Sequence, residues 1–109
     1  MKFDASLALQ KRFHNVIPGG SHTYAKGDDQ FPELMPAYIV RGKGCHVWDA
    51  DGNEFIEYGM GARAVTLGHG HPSVVEAAYK QMQQGTNFIR PATIEVDVNA
   101  MKDYGKPVN

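Results

Sequence analysis

The chain has 109 residues, 11 of them basic and 12 acidic, for a formal charge of -1. That length suits one small domain or a piece of a larger one, and it is short for an enzyme that must enclose a cofactor. The charge balance offers no electrostatic footprint for nucleic acid or an anionic membrane surface, and the single cysteine, Cys45, excludes an internal disulfide and a cysteine-based zinc site.

The N-terminus, MKFDASLALQKRF, places Asp4, Gln10, Lys11 and Arg12 where a signal peptide needs an unbroken apolar stretch, and no long apolar run occurs elsewhere. A soluble, cytoplasmic protein without a membrane partner is expected.

Phe3 to Val16 has helical spacing. Phe3, Leu7, Gln10, His14 and Ile17 lie along one row, and Leu9, Phe13 and Val16 along the next. Asp4 or Ser6 is expected to cap its start, and Pro18-Gly19-Gly20 to stop it. Gly20 to Pro36 shows no sustained period and reads as a long loop, with Ser21, His22, Thr23, Tyr24 and Lys26 grouped as polar residues after the glycine turn. A solvated connection is the favoured reading of this group, with a functional loop as the alternative.

Ala37 to Arg41, Cys45 to Trp48 and Glu54 to Tyr58 have strand composition, with Gly42-Lys43-Gly44 separating the first two. Asp49-Ala50-Asp51-Gly52-Asn53 is strong turn chemistry. A two-residue Asp51-Gly52 turn would set Asp49 against Glu54, two like charges. A three-residue loop instead puts Asp49 first in a type I turn and Gly52 at the left-handed bulge, with Val47 opposite Phe55 and Trp48 opposite Glu54. The predicted meander is marginal without material to pack on.

Four glycines between Gly59 and Gly70 allow close backbone approach to a ligand, yet neither a dinucleotide fingerprint nor a P-loop ending is present. Pro72 suits the first position of a helix running to Gln84, with Glu76 and Lys80 as an i,i+4 pair and Gly85 ending it. A further helix is expected over 92–104, with Glu95 and Asp97 early in it.

His69 and His71 could converge on one ion, but no third ligand is placed by motif, so no metal site is assigned. Cys45 reads as a small packed strand residue. Arg63, between glycines in a loop, is poorly explained as a solvated face of a helix or strand. It could clamp a carboxylate or phosphate bidentately, or serve as a surface charge. Arg90 before Pro91 poses the same choice.

Taken in order, four blocks resemble the start of class III pyridoxal-phosphate aminotransferases. They are Ile17-Pro18-Gly19-Gly20, the run Tyr38 to Gly44, Val47 to Asn53 with Tyr58, and Leu67 to Val75. Within that family the pattern is most similar to the glutamate-1-semialdehyde aminomutases. The resemblance implies an α+β segment: an N-terminal helix, a three-stranded antiparallel meander and following helices, forming the N-terminal part of a fold type I α/β subunit.

Residues 1–91 would be that N-terminal segment, and 92–109 the start of a large cofactor domain, apparently truncated. The family's cofactor is pyridoxal phosphate on a lysine, with an aspartate on the pyridine nitrogen. Both lie downstream of the matched blocks, so no catalytic or cofactor-binding residue is assigned here, and covalent binding of the cofactor is not expected. A homodimer or self-association, and a small amino or oxo substrate, are the implied partners.

The resemblance also supplies substrate-side positions. Thr23 and Lys26 stand where the aminomutases have serine and arginine, and Ala62 and Arg63 where they have tryptophan and glycine. An aromatic wall is lost and a cation gained, which points to an amino or oxo compound with an anionic group other than glutamate semialdehyde. The alternative is a non-catalytic binding or assembly module derived from such an enzyme.

Overall fold

A computed structural model of the chain describes residues 1–35 and 37–95. By its internal contacts the chain divides into two units, Met1–Pro72 and a second that begins at Ser73.

In the first unit, helix α1 spans Asp4–Val16. Ala, Leu, Gln, Lys and Arg supply its helix propensity. Its N-terminus is not capped by Asp4 or Ser6, as the sequence suggests, and Phe3 at the N-cap offers no side-chain acceptor. The cap comes from far along the chain. The Asp51 carboxylate accepts the N–H groups of Ala5 at 2.7 Å and Ser6 at 2.9 Å, the donors a local cap would satisfy. Asn53 adds a hydrogen bond from Nδ2 to the Lys2 carbonyl at 2.7 Å.

Pro18 ends α1 as expected, with Ile17 already extended at φ -128°. The long loop that follows is built from short 3-10 turns at Pro18–Gly20, Tyr24–Lys26 and Asp28–Gln30. Asp28 returns to α1, where it accepts from Gln10 Nε2 at 2.6 Å and pairs with His14 Nε2 at 2.7 Å. Gln10 and His14 are one turn apart on the predicted helical row, so a single carboxylate reads both. Phe13, on the adjacent row, stacks on Tyr38 with ring centroids 4.4 Å apart.

The meander comprises β1 at Ile39–Lys43, β2 at His46–Asp49 and β3 at Glu54–Ile56, all antiparallel in that order. β2 and β3 pair Val47 with Phe55 and Trp48 with Glu54, the register of the three-residue loop. Gly52 donates to the Asp49 carbonyl at 3.1 Å and sits at φ 84°, the left-handed position that glycine fills without a Cβ penalty. Asp49 is 1% exposed. Its Oδ1 accepts the N–H groups of Asp51 and Asn53, and its Oδ2 accepts Asn53 Nδ2, so the turn is wired through one carboxylate.

The strand edges differ from the sequence reading: β1 begins at Ile39 rather than Ala37, β2 runs on to Asp49, and β3 ends at Ile56 rather than Tyr58. Gly42 and Lys43 belong to β1, paired with Val47 and His46, because ladder hydrogen bonds outweigh glycine's low strand propensity. Cys45 then falls in the β1–β2 turn and is exposed, not packed in a strand. The register of β1 shifts between Ile39 and Arg41. Arg41 lies over the ring of its cross-strand partner Trp48, 3.7 Å from the centroid.

Val47, 5% exposed, is the one buried apolar side chain among the described residues. Ile39, Val40, Ile56 and Tyr58 remain exposed, as expected for a sheet that needs further material to pack on.

In the second unit, helix α2 spans Pro72–Gln84, its first residue being the last of the first unit. Glu76 and Lys80 pair at 3.1 Å. Val74, Val75, Tyr79 and Met82 are exposed on it. Ala92 and Glu95 then form a reciprocal cap, with Ala92 N–H donating to Glu95 Oε1 at 2.9 Å and Glu95 N–H to the Ala92 carbonyl at 3.0 Å. The remainder of the helix expected over 92–104 lies outside the described residues. No described helix is long and apolar enough to cross a membrane.

Candidate functional site

The segment following β3 leaves and rejoins the sheet at one place. Glu57 donates its N–H to the Cys45 carbonyl at 2.8 Å. Twelve residues on, His69 exchanges both backbone hydrogen bonds with Gly44, each at 2.9 Å. Both ends of the loop are thus docked on the β1–β2 turn. The approach is close: a Cβ on Gly68 would stand 2.9 Å from the Gly44 Cα, and one on Gly42 would meet the His69 ring at 2.7 Å.

Inside the loop the backbone is strained. Met60, Gly61, Ala62 and Arg63 have φ of 43°, 59°, 57° and 72°, an unbroken left-handed turn of which one residue is glycine. Each non-glycine residue there costs about 1–2 kcal/mol. Such strain persists only where the surroundings over-determine the backbone. Here Arg63 N–H bonds the Gly59 carbonyl at 3.0 Å, Val65 N–H the Met60 carbonyl at 3.2 Å, and Thr66 Oγ1 the Arg63 carbonyl at 3.0 Å. Glu57 Oε1 accepts Gly61 N–H at 3.3 Å, while its other oxygen bonds His69 Nε2.

Arg63 therefore sits at the end of a hydrogen-bonded left-handed turn, exposed, and its guanidinium makes no ion pair or hydrogen bond among the described residues. Ala62 beside it is also exposed. Thr23 and Lys26 are exposed as well. Thr23 lines a cleft of about 320 Å3 with His14, Ser21, His22, Tyr24 and Asp28, and neither Lys26, Ala62 nor Arg63 borders it. The four sequence-derived positions thus fall on two separate loops with no hydrogen bond between them.

The carboxylate beside the Thr23 cleft is electrostatically set. The hydrogen bond to His14, with that of Gln10, holds Asp28 below the usual carboxylate range, over the opposing effect of burial. Burial, and then the charge of Asp28, pushes the Tyr38 hydroxyl up.

His69 and His71 border a second cleft of about 420 Å3 with Lys43, His46, Trp48 and Glu54. His69 is engaged by Glu57, and His46 Nδ1 pairs with Glu54 at 2.8 Å. Among the described residues no group of three or more His, Cys, Asp or Glu is placed to hold a metal. Glu57 is the residue that sequence reasoning missed, and His69, weighed there only as a metal ligand, is instead its partner. A spacing of twelve across a glycine-rich loop belongs to no helical or strand period, and no sequence signal would have joined them.

The profile described as Aminotransferase class-III matches residues 24–104. The chain belongs to the class-III aminotransferases. Among curated class-III relatives it is 40% identical over 85 residues to the glutamate-1-semialdehyde 2,1-aminomutase of Chloroflexus aggregans, covering 76% of this chain and 19% of that protein. It is 34% identical over 98 residues to the enzyme of the same name from Fusobacterium nucleatum, covering 90% and 23%. The chain spans about a fifth of the length of these relatives.

Among solved structures, a transaminase with PLP bound superposes with a TM-score of 0.82 at 32% identity, over 95% of this chain and 24% of that one. The helices and three-stranded sheet are those of the N-terminal part of a class-III, fold type I subunit.

A pyridoxal phosphate site needs a lysine for the imine and a carboxylate for the ring nitrogen. Lys2, Lys11, Lys26, Lys43 and Lys80 are all exposed. Asp49, the buried carboxylate of the described residues, has both oxygens engaged by the hairpin turn. The described residues do not fit the cofactor.

Proposed function

We propose that this chain supplies the substrate-side rim of a pyridoxal-phosphate-dependent aminotransferase or aminomutase acting on an amino or oxo compound with an anionic group. Arg63 is the anchor for that group, with Ala62, Thr23 and Lys26 facing the substrate. The observation that carries this reading is the Arg63 guanidinium, exposed, without an ion pair, on a strained and hydrogen-bonded turn. A defined backbone sets where the side chain starts, and the planar guanidinium fork can meet a carboxylate with two parallel hydrogen bonds.

Residues 1–91 act as the N-terminal segment, and 92–109 begin the cofactor domain of a cytoplasmic homodimer. On its own the chain carries no catalytic group, a reading supported by the surface position of its described lysines. That same observation favours a second reading, a non-catalytic binding or assembly module.

The test is a graft of this segment in place of the corresponding part of the Fusobacterium nucleatum aminomutase, assayed with acidic and neutral amino donors. Activity on an acidic donor, with a Michaelis constant raised about tenfold or more by Arg63→Ala, is the expected result. An unchanged Michaelis constant would sink the anchor role. A folded, cofactor-loaded graft without activity on any donor would establish the binding-module reading instead.

A further inference from the structure

We propose that Glu57 and His69 are positioning residues, a latch that holds the left-handed turn closed and so fixes where Arg63 points. This rests on the reading of Arg63 as the substrate anchor, and adds what sets the anchor's geometry.

Glu57 is the last residue before the loop and His69 the first after it to rejoin the sheet. Their side chains meet, so one contact joins the two ends. The same Glu57 carboxylate reaches inward to Gly61 N–H, inside the left-handed turn. One side chain therefore ties the entry, the exit and the strained centre.

His69 is in turn held by its two backbone bonds to Gly44 and by its ring against Gly42, where a Cβ would not fit. Both partners are thus anchored by their backbones on the β1–β2 turn, and the turn between them is held from its two ends. Without it, Met60, Ala62 and Arg63 would relax toward negative φ, the direction L-residues prefer, and carry the guanidinium away.

The test is amide hydrogen exchange on the full chain. Glu57→Ala and His69→Ala should each speed exchange at Gly61 and Arg63 by about threefold, the scale of losing a partly exposed hydrogen bond, with Val47 unchanged. The double variant should match Glu57→Ala within about twofold, since Glu57→Ala already removes the His69 contact along with the Gly61 bond.

Adding Ala62→Gly to Glu57→Ala should return exchange toward the native rate, because glycine takes positive φ without strain. A merely structural role for Glu57 would not be rescued at that position. Unchanged exchange at Gly61 and Arg63 would overturn the latch, as would a parallel rise at Val47 or a failure of Ala62→Gly to rescue.

In the grafted enzyme, Glu57→Ala should raise the Michaelis constant for the acidic donor while leaving kcat within about twofold. Arg63→Ala leaves the latch intact. Native exchange together with an unchanged Michaelis constant in that variant would therefore reject the anchor while sparing the latch.

Discussion

Asp51, at the tip of the β2–β3 hairpin, caps helix α1 by accepting the amide of Ala5, 46 residues earlier, at 2.7 Å. The contact, with its partner bond to Ser6, joins α1 to the β2–β3 hairpin. It also uses the helix dipole, since a carboxylate at a helix N-terminus meets partial positive charge. Asp51→Ala should therefore lower Tm and speed exchange through the first turn of α1. Ala50→Gly, one residue away on the same turn, should leave that first turn protected. Differential exchange of the Ala5 and Ser6 amides in the two variants checks this.

Acid should lower the stability of the unit through two carboxylates. Burial pushes the Asp51 carboxyl up, but the amides of Ala5 and Ser6 outweigh it and hold it below its ordinary value of 3.8. Asp28 is held below 3.8 by His14 and then Gln10. A carboxyl whose folded pKa is depressed adds stability that is fully present above its unfolded value and is lost as pH falls through the folded value. Stability from these groups should be flat above about pH 5 and fall below about pH 4. In a Tm titration, Asp28→Asn and Asp51→Asn should each be less stable near neutrality and show a shallower acid limb. An acid limb unchanged in both would contradict the assignment.

The hairpin was legible because its residues argue locally: Asp49 and Gly52 each suit one turn geometry, and the like charges of Asp49 and Glu54 reject the other. Helix α2 was legible from Pro72, its i,i+4 pair and Gly85. What escaped was non-local or contrary to propensity. Nothing near Asp4 announces a cap from Asp51. Gly42 joins a strand because Val47 pairs with it. Met60, Ala62 and Arg63 take a conformation their residue types avoid, which no propensity would assign. Ala62 was singled out by family resemblance alone, whereas Thr23 and Lys26 also stood out in the polar group after the glycine turn, and Arg63 from its setting between glycines.

Gly52 and Gly68 separate two costs of adding a methyl group. Both have positive φ, 84° and 96°. A Cβ on Gly52 meets nothing within 4 Å, whereas one on Gly68 stands 2.9 Å from the Gly44 Cα. The neighbour is backbone, pinned by two hydrogen bonds between Gly44 and His69, so it cannot move aside as a side-chain tip would. Gly52→Ala should then cost about 1 kcal/mol, the left-handed penalty less the entropy that alanine removes from the unfolded chain. Gly68→Ala should cost that and about 1–3 kcal/mol more, since overpacking is added to strain. Denaturant midpoints at constant m-value would measure the difference. Equal costs would mean that the loop end shifts freely on the β1–β2 turn, and the close docking of His69 against Gly44 would not be what holds the loop in place.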